Sequence, residues 1–210
     1  MPEIITVFGA TGAQGGGLVR AILADRERRF AVRAVTRRPG SAAARALAEA
    51  GAEVVAADLD DPASVRQAMQ DAHGAFCVTN FWEHFSPARE LAQARAMAAA
   101  AADAGVRHVV WSTLEDTREF VTPGSAMPVL GGGYNVPHFD AKGEANRAFV
   151  ESGIPTTLLY TSFYWDNLIH FRLQPTRGVE GTLQFVLPLA TARLPSIAAE
   201  DIGPCAFGIF

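Results

Sequence analysis

Lysine is almost missing from this sequence. Of its 18 basic residues in a chain of 210, only Lys142 is a lysine and the rest are arginine. Cysteine is nearly as scarce: Cys77 and Cys205 lie far apart, which excludes a disulfide framework and a Cys-x-x-Cys metal site, and fits a reducing cytoplasm. No apolar run approaches the roughly 20 residues of a membrane span. Basic charge is not in excess either: 18 Lys and Arg against 22 Asp and Glu leave a net charge of −4, too little positive surface to neutralise a phosphate backbone, so nucleic acid is not an expected direct partner. Met1 leads into a short apolar run at 4–8 with no basic stretch before it, so no signal peptide is expected and the predicted location is cytoplasmic. The five histidines have no metal-ligand spacing, no metal is expected, and no serine sits in a Gly-x-Ser-x-Gly elbow.

What is present is a globular composition, 49% hydrophobic and 19% charged, too apolar for disorder. The length favours one domain. Short apolar or β-branched runs at 4–8, 31–36, 53–57, 74–79, 107–112 and 155–160 alternate with alanine-rich helical stretches. That alternation predicts an α/β fold, a Rossmann-type doubly wound parallel sheet with helices on both faces and ligands at the carboxyl ends of the strands. The clearest helix lies between Ser86, an N-cap followed by Pro87 at the first helical position, and Gly105, which stops it. Residues 117–137 carry Pro123, Gly124, Pro128 and Gly131-Gly132-Gly133, and are expected to form a long connection without regular structure. After Phe171 the pattern thins to one strand-like run at 183–187, and another helix starts near Asp201.

Gly9-Ala10-Thr11-Gly12-Ala13-Gln14-Gly15 follows the first strand and opens the first helix. Gly9 makes the tight turn, Gly12 admits a pyrophosphate to the backbone, Gly15 lets helix and sheet approach, and free N–H groups at the helix start face the phosphates. The spacing is one residue longer than G-x-G-x-x-G; a plain Gly-rich turn is the competing reading. At the end of the second strand a fold selective for NAD would carry an acid for the ribose 2′-hydroxyl. Thr36-Arg37-Arg38-Pro39 stands there instead, which favours NADP(H) over NAD(H), with Arg37 on the phosphate and Arg38 read as solvated surface. Asp58-Leu59 forms a candidate adenine rim, with Asp58 alternatively the cap of the next helix. Thr79-Asn80 and Ser112-Thr113 end the fourth and fifth strands on the ligand-facing edge, followed in the first case by Phe81, Trp82, His84 and Phe85, as pocket wall or as ordinary packing.

His138-Phe139-Asp140-Ala141-Lys142 opens a further helix with His138 and Lys142 four residues apart on one face. Lysine, unlike arginine, can lose its proton and presents a compact ammonium, so Lys142 and His138 are the candidate catalytic pair, one orienting a nicotinamide ribose and the other relaying protons. Chance survival of one lysine in an arginine-rich chain is the competing reading.

Five segments in order, Gly9 through Gly15, Thr36-Arg37-Arg38-Pro39, Cys77-Val78-Thr79-Asn80, Val136-Pro137-His138-Phe139-Asp140-Ala141-Lys142-Gly143 and Phe163-Tyr164-Trp165-Asp166-Asn167, resemble the NmrA-like proteins, an atypical branch of the short-chain dehydrogenase/reductases. The resemblance covers essentially the whole chain. It implies NADP(H) held by the Gly9 loop with Thr11, Gly12, Gln14 and Gly15, by Arg37, Asp58, Leu59, Thr79, Asn80 and Lys142, and by the segment bearing Tyr164 and Asn167. Members of this family include redox sensors that bind cofactor without turning it over and relatives that reduce quinones or similar small molecules. A regulatory protein partner or a small quinone or carbonyl substrate is therefore expected. Two departures stand out. The Tyr-x-x-x-Lys motif of active short-chain reductases is absent, because Tyr134, Tyr160 and Tyr164 are followed four residues later by His138, Tyr164 and Leu168. His138 occupies the register of that tyrosine, as in sensor-like members. Family members also continue well past residue 210, so the resemblance implies a single domain with about 1–160 as the cofactor-binding core and 161–210 as an incomplete substrate-side region. The first expectation is a redox-sensing NADP(H)-binding regulator; the alternative is an NADPH-dependent reductase using Lys142.

Overall fold

A computed structural model describes residues 2–121, 124–130, 132–170, 174–187, 189 and 191–210. Six strands form one parallel sheet: β1 (Glu3–Val7), β2 (Phe30–Thr36), β3 (Glu53–Ala56), β4 (Gly74–Cys77), β5 (His108–Thr113) and β6 (Thr156–Tyr160), in the order β3-β2-β1-β4-β5-β6. The crossovers are α1 (Ala13–Ala24), α2 (Ala42–Glu49), α3 (Pro62–Met69), α4 (Pro87–Asp103) and α5 (Pro137–Glu151). This is the doubly wound Rossmann order, and the strand sequence reverses between β1 and β4, where such sheets bind ligands.

Alternation along the strands divides the core. Val109 and Trp111 point into one layer with Met97, Met69 and Phe149, whereas Val110 points into the other with Ile5, Val7, Leu18 and Val19. Trp111 stacks on Phe149 at 4.6 Å between ring centroids. Along α4, Ala94, Ala98 and Ala101 are buried, a small-residue face that leaves room for close packing. Ser86 caps α4 by accepting from the Arg89 N–H at 3.3 Å, and Pro87 stands at the first helical position.

The strand ends differ slightly from the apolar runs. The fourth run, at 74–79, is a strand only to Cys77; Val78, Thr79 and Asn80 leave the ladder at the switch point and line the crevice. Asp61, not Asp58, caps α3, accepting from the Ala63 N–H at 3.0 Å. Within the connection at 117–137, Pro123 and Gly131 lie outside the described residues, as does Phe171; the described part holds a 3-10 turn at Thr117–Glu119 and a single bridge between Leu130 and Tyr134. Its ends are gathered by buried Asp140, whose carboxylate accepts from the Thr117 N–H (2.9 Å), the Thr117 hydroxyl (2.5 Å), the Asn135 N–H (2.7 Å) and the Val136 N–H (2.9 Å).

After β6 come β7 (Phe163–Tyr164), α6 (Asn167–His170), β8 (Thr176–Arg177), β9 (Leu183–Gln184), β10 (Ser196–Ile197) and α7 (Ile202–Ile209). The run at 183–187 yields only the two residues of β9, in an exposed antiparallel pair with β8. The segment at 196–197 pairs in parallel with β7 and so fixes Tyr164. Helix α7 lies on α1 with glycine against glycine: a Cβ on Gly203 would stand 2.1 Å from the Gly17 carbonyl carbon.

Candidate functional site

At the carboxyl edge of β1, β2, β3 and β4 the chain encloses a cavity of about 530 Å³. Its floor is the turn from β1 into α1. Gly9 takes a φ of +65°, which only glycine adopts without strain. A Cβ on Gly15 would lie 2.5 Å from the Gly9 carbonyl oxygen, so glycine here allows the helix to start against the strand end. The first helical N–H groups, of Ala13, Gln14 and Gly15, have no carbonyl one turn earlier in the helix to bond. No side chain caps them and the first turn holds no acid. These are the properties of an anion cradle.

Thr11 and Gly12 line the cavity beside Gln14, whose side chain is braced at both ends. Its Nε2 donates to the Tyr164 hydroxyl at 2.5 Å, and its Oε1 accepts from the Ser112 hydroxyl at 2.6 Å. The cradle is thereby tied to the tip of β5 and to β7. Burial pushes the Tyr164 phenol above its ordinary pKa, with hydrogen bonds to Thr161 and Gln14 acting the other way.

The far end is lined by Arg37, Arg38 and Ser41. Ser41 caps α2 by accepting from the Ala44 N–H at 3.2 Å, so a second helix start faces this end. Arg37 Nη2 donates to Glu83 Oε1 at 2.6 Å across the opening. Arg38 is exposed, as expected of solvated surface, and also shares the lining. Asp58 and Leu59 form the rim beyond Ala57, and Asp58 is held by an Asx turn in which its Oδ1 accepts from the Asp60 N–H at 3.0 Å.

Thr79 and Asn80 form the wall at the switch point. Behind Thr79 lies a buried ionic group. Lys142 Nζ donates to Thr79 Oγ1 at 2.6 Å and to the Thr79 carbonyl at 3.2 Å, and sits 2.9 Å from Glu90 Oε1. The Thr79 hydroxyl donates to the same carboxylate oxygen of Glu90. Glu90 is fully buried, Lys142 retains 12% side-chain exposure, and the ammonium lies 5.1 Å from the centre of the Trp111 ring. Burial holds the Lys142 pKa below its ordinary value, partly offset by Glu90. His84 Nε2 lies 3.4 Å from the other Glu90 oxygen, and neither atom has a hydrogen-bond partner among the described residues.

His138 and Lys142 share a face of α5, as their spacing predicts, but they meet different neighbours. The imidazole lies 4.6 Å from the Trp82 ring centroid and 6.0 Å from that of Phe81. Burial, and then the Lys142 charge, hold its pKa below the ordinary histidine value. Neither His138 nor Lys142 is among the lining residues; Lys142 reaches the cavity through Thr79. Asn167 opens α6 and also lies outside the lining, whereas Tyr164 is part of it. Two acids escaped the reading of residue types. Glu83 falls within an aromatic run, and Glu90 looks like a solvated helix former one turn into α4.

The profile of the NmrA-like family matches residues 1–210. The NmrA-like family domain-containing oxidoreductase FrzB of Cladobotryum sp. is 32% identical over 229 residues, covering 100% of this chain and 65% of its own, so this chain spans less than two thirds of that relative. Among solved structures, NmrA, a negative transcriptional regulator, in complex with NADP aligns over 100% of this chain and 62% of its own at a TM-score of 0.73 and 24% identity. Citrobacter sp. triphenylmethane reductase complexed with NADP(H) aligns over 100% of this chain and 65% of its own at a TM-score of 0.72 and 21% identity. These two likenesses show the fold.

Proposed function

The chain belongs to the NmrA-like family, and on that premise we propose that it binds a nicotinamide dinucleotide, NADP(H) in preference to NAD(H), as a redox-sensing regulator. The observation that carries this reading is the separation of cradle from chemistry. The cavity presents uncapped helix N–H groups at one end and two guanidiniums at the other, while His138 and Lys142 stand outside its lining. Such a site is suited to holding a ligand rather than to donating a proton into it.

The residues fit the group. Ala13, Gln14 and Gly15 would hold the diphosphate on their N–H groups, in a cradle that a Cβ at position 15 would push open. Arg37, Arg38 and the start of α2 would hold the 2′-phosphate. Asp58 and Leu59 would border the adenine, with Thr79, Asn80 and Tyr164 along the nicotinamide half. Lys142 would act through Thr79, fixing the orientation of the wall. A bound cofactor would supply hydride-transfer chemistry; the chain itself binds, orients and shields.

A sensor must favour one cofactor form, or the bound state, in the conformation that signals, because equal binding shifts no equilibrium. The partner in this reading is a regulatory protein, and its compartment is the cytoplasm, consistent with two free cysteines, Cys77 buried and Cys205 exposed. Among the described residues no helix is long and apolar enough to cross a membrane. Residues 161–210 would begin the substrate-side region of the single domain. A second reading, NADPH-dependent reduction of a quinone or small carbonyl compound, is favoured by the relative FrzB being named an oxidoreductase and by the sole lysine standing one residue behind the cavity wall.

Calorimetric titration with NADPH, NADP+ and NADH, followed by NADPH oxidation over a quinone and carbonyl panel, separates the two. Tight NADP(H) binding without oxidation supports the sensor. Oxidation that is lost in Lys142→Ala while binding persists makes the protein a reductase. No dinucleotide binding refutes both.

A further inference from the structure

We infer that Glu83 is a specificity-determining residue of the dinucleotide site, its carboxylate competing with the 2′-phosphate of NADP(H) for the Arg37 guanidinium. The inference rests on the proposal that Arg37 receives that phosphate. The sequence at the end of β2 has no acid, and by that criterion the site is purely cationic. The fold restores one from elsewhere. Glu83 arrives on the 3-10 turn Phe81–Glu83 that follows β4, across the crevice from β2, and both side chains line the cavity.

The pair is built to exchange. It is 2.6 Å long but uses one guanidinium nitrogen and one carboxylate oxygen, rather than the two parallel bonds of a fork. Arg37 is 48% and Glu83 42% exposed, so neither charge is trapped and water or a ligand can replace either partner. A phosphate brings about two negative charges and three acceptor oxygens, enough to displace one carboxylate oxygen, but only after the existing pair is broken. NAD(H) has a hydroxyl at that position and no claim on the guanidinium. A free Glu83 carboxylate is an acceptor for such a hydroxyl, the role usually filled by an acid at the end of the second strand. Glu83 therefore lowers NADP(H) affinity selectively and narrows the gap between the two cofactors. Arg38, which forms no ion pair among the described residues, keeps a second cation in the lining when Arg37 is removed.

The test is calorimetric titration of NADP+ and NAD+ into wild type, Glu83→Gln, Arg37→Ala and the double variant, with thermal melts to verify folding. Glu83→Gln should tighten NADP+ about five-fold, the scale of a half-exposed ion pair, and raise the NADP+ to NAD+ affinity ratio by at least that factor. In the Arg37→Ala background the same substitution should change NADP+ affinity less than two-fold, because there is no guanidinium left to contest. An unchanged or lowered ratio in Glu83→Gln overturns the inference, while a loss of NADP+ affinity in Arg37→Ala keeps the phosphate assignment intact. An undiminished gain in the Arg37→Ala background overturns it too, since Glu83 would then repel the phosphate directly. If Arg37→Ala leaves NADP+ affinity unaltered, the phosphate assignment itself falls and takes the inference with it.

Discussion

Substituting Lys142 by methionine removes the ammonium from the group behind Thr79 and leaves Glu90 fully buried with only the Thr79 hydroxyl donating to it. Breaking a buried ion pair from one side costs about 3–5 kcal/mol, because the remaining charge keeps its desolvation penalty without its partner. Two features place this case at the lower end: Lys142 is itself 12% exposed, and the Thr79 hydroxyl still donates. The expected loss is about 3 kcal/mol at neutral pH, or about 6–12 °C in Tm for a chain of this size. Urea unfolding followed by far-UV circular dichroism measures it. The decisive comparison is the double variant Lys142→Met, Glu90→Gln, in which no charge is stranded and the glutamine oxygen still accepts from Thr79. It should recover at least half of the deficit, since replacing a whole buried pair is far less damaging than halving it. A single variant within about 0.5 kcal/mol of wild type, or a double variant no more stable than the single, would refute the description of this corner as a desolvated, mutually dependent pair.

Gly15→Ala should open the β1–α1 turn, because the added carbon meets the Gly9 carbonyl oxygen at 2.5 Å and the Phe8 carbonyl oxygen at 2.8 Å, both rigid backbone. The expected result is a folded protein destabilised by about 1–3 kcal/mol with dinucleotide affinity down at least ten-fold by calorimetry; wild-type affinity would contradict the cradle. His138 predicts an acid-side loss of stability. Burial and the neighbouring Lys142 charge hold its folded pKa below the ordinary 6.5, with Asp140 and Glu90 acting weakly in the opposite sense. The unfolded chain therefore binds the extra proton first, so this contribution is fully present above pH 6.5 and is lost as pH falls from there through the folded pKa. His138→Gln should flatten that part of the profile. An imidazole resonance titrating at or above 6.5 in NMR would show that the ring is not desolvated between Trp82 and Phe139.

The features legible in the sequence are those set by local pattern. Buried parallel strands read as apolar runs, the Gly9 loop advertises itself by following one, and Ser86-Pro87 and Gly105 punctuate α4 with the residues that helix ends require. The four-residue spacing of His138 and Lys142 also gave their shared face. It could not give what that face meets, since Thr79, Glu90 and Trp82 reach α5 only through the crossing of β4 and α4. Glu90 illustrates the limit: an acid in the first turns of a helix is favourable wherever the helix lies, so its residue type does not distinguish a solvated position from a buried one. Arg38 illustrates the converse. It is exposed, as an arginine beyond a strand end should be, and only the fold makes that exposed position an edge of the cavity shared with α2 and the Gly9 loop.

The near absence of lysine has a practical corollary once Lys142 is placed in the fold. Apart from the α-amino group, this sequence offers amine-reactive reagents one target, and the fold shuts that target behind Thr79 and against Trp111. In most proteins acylation is a blurred sum over dozens of exposed side chains. Here a single peptide would record whether the corner between α4 and α5 has opened, and its labelling rate would be a clock for that motion, readable in a crude mixture and without an engineered probe.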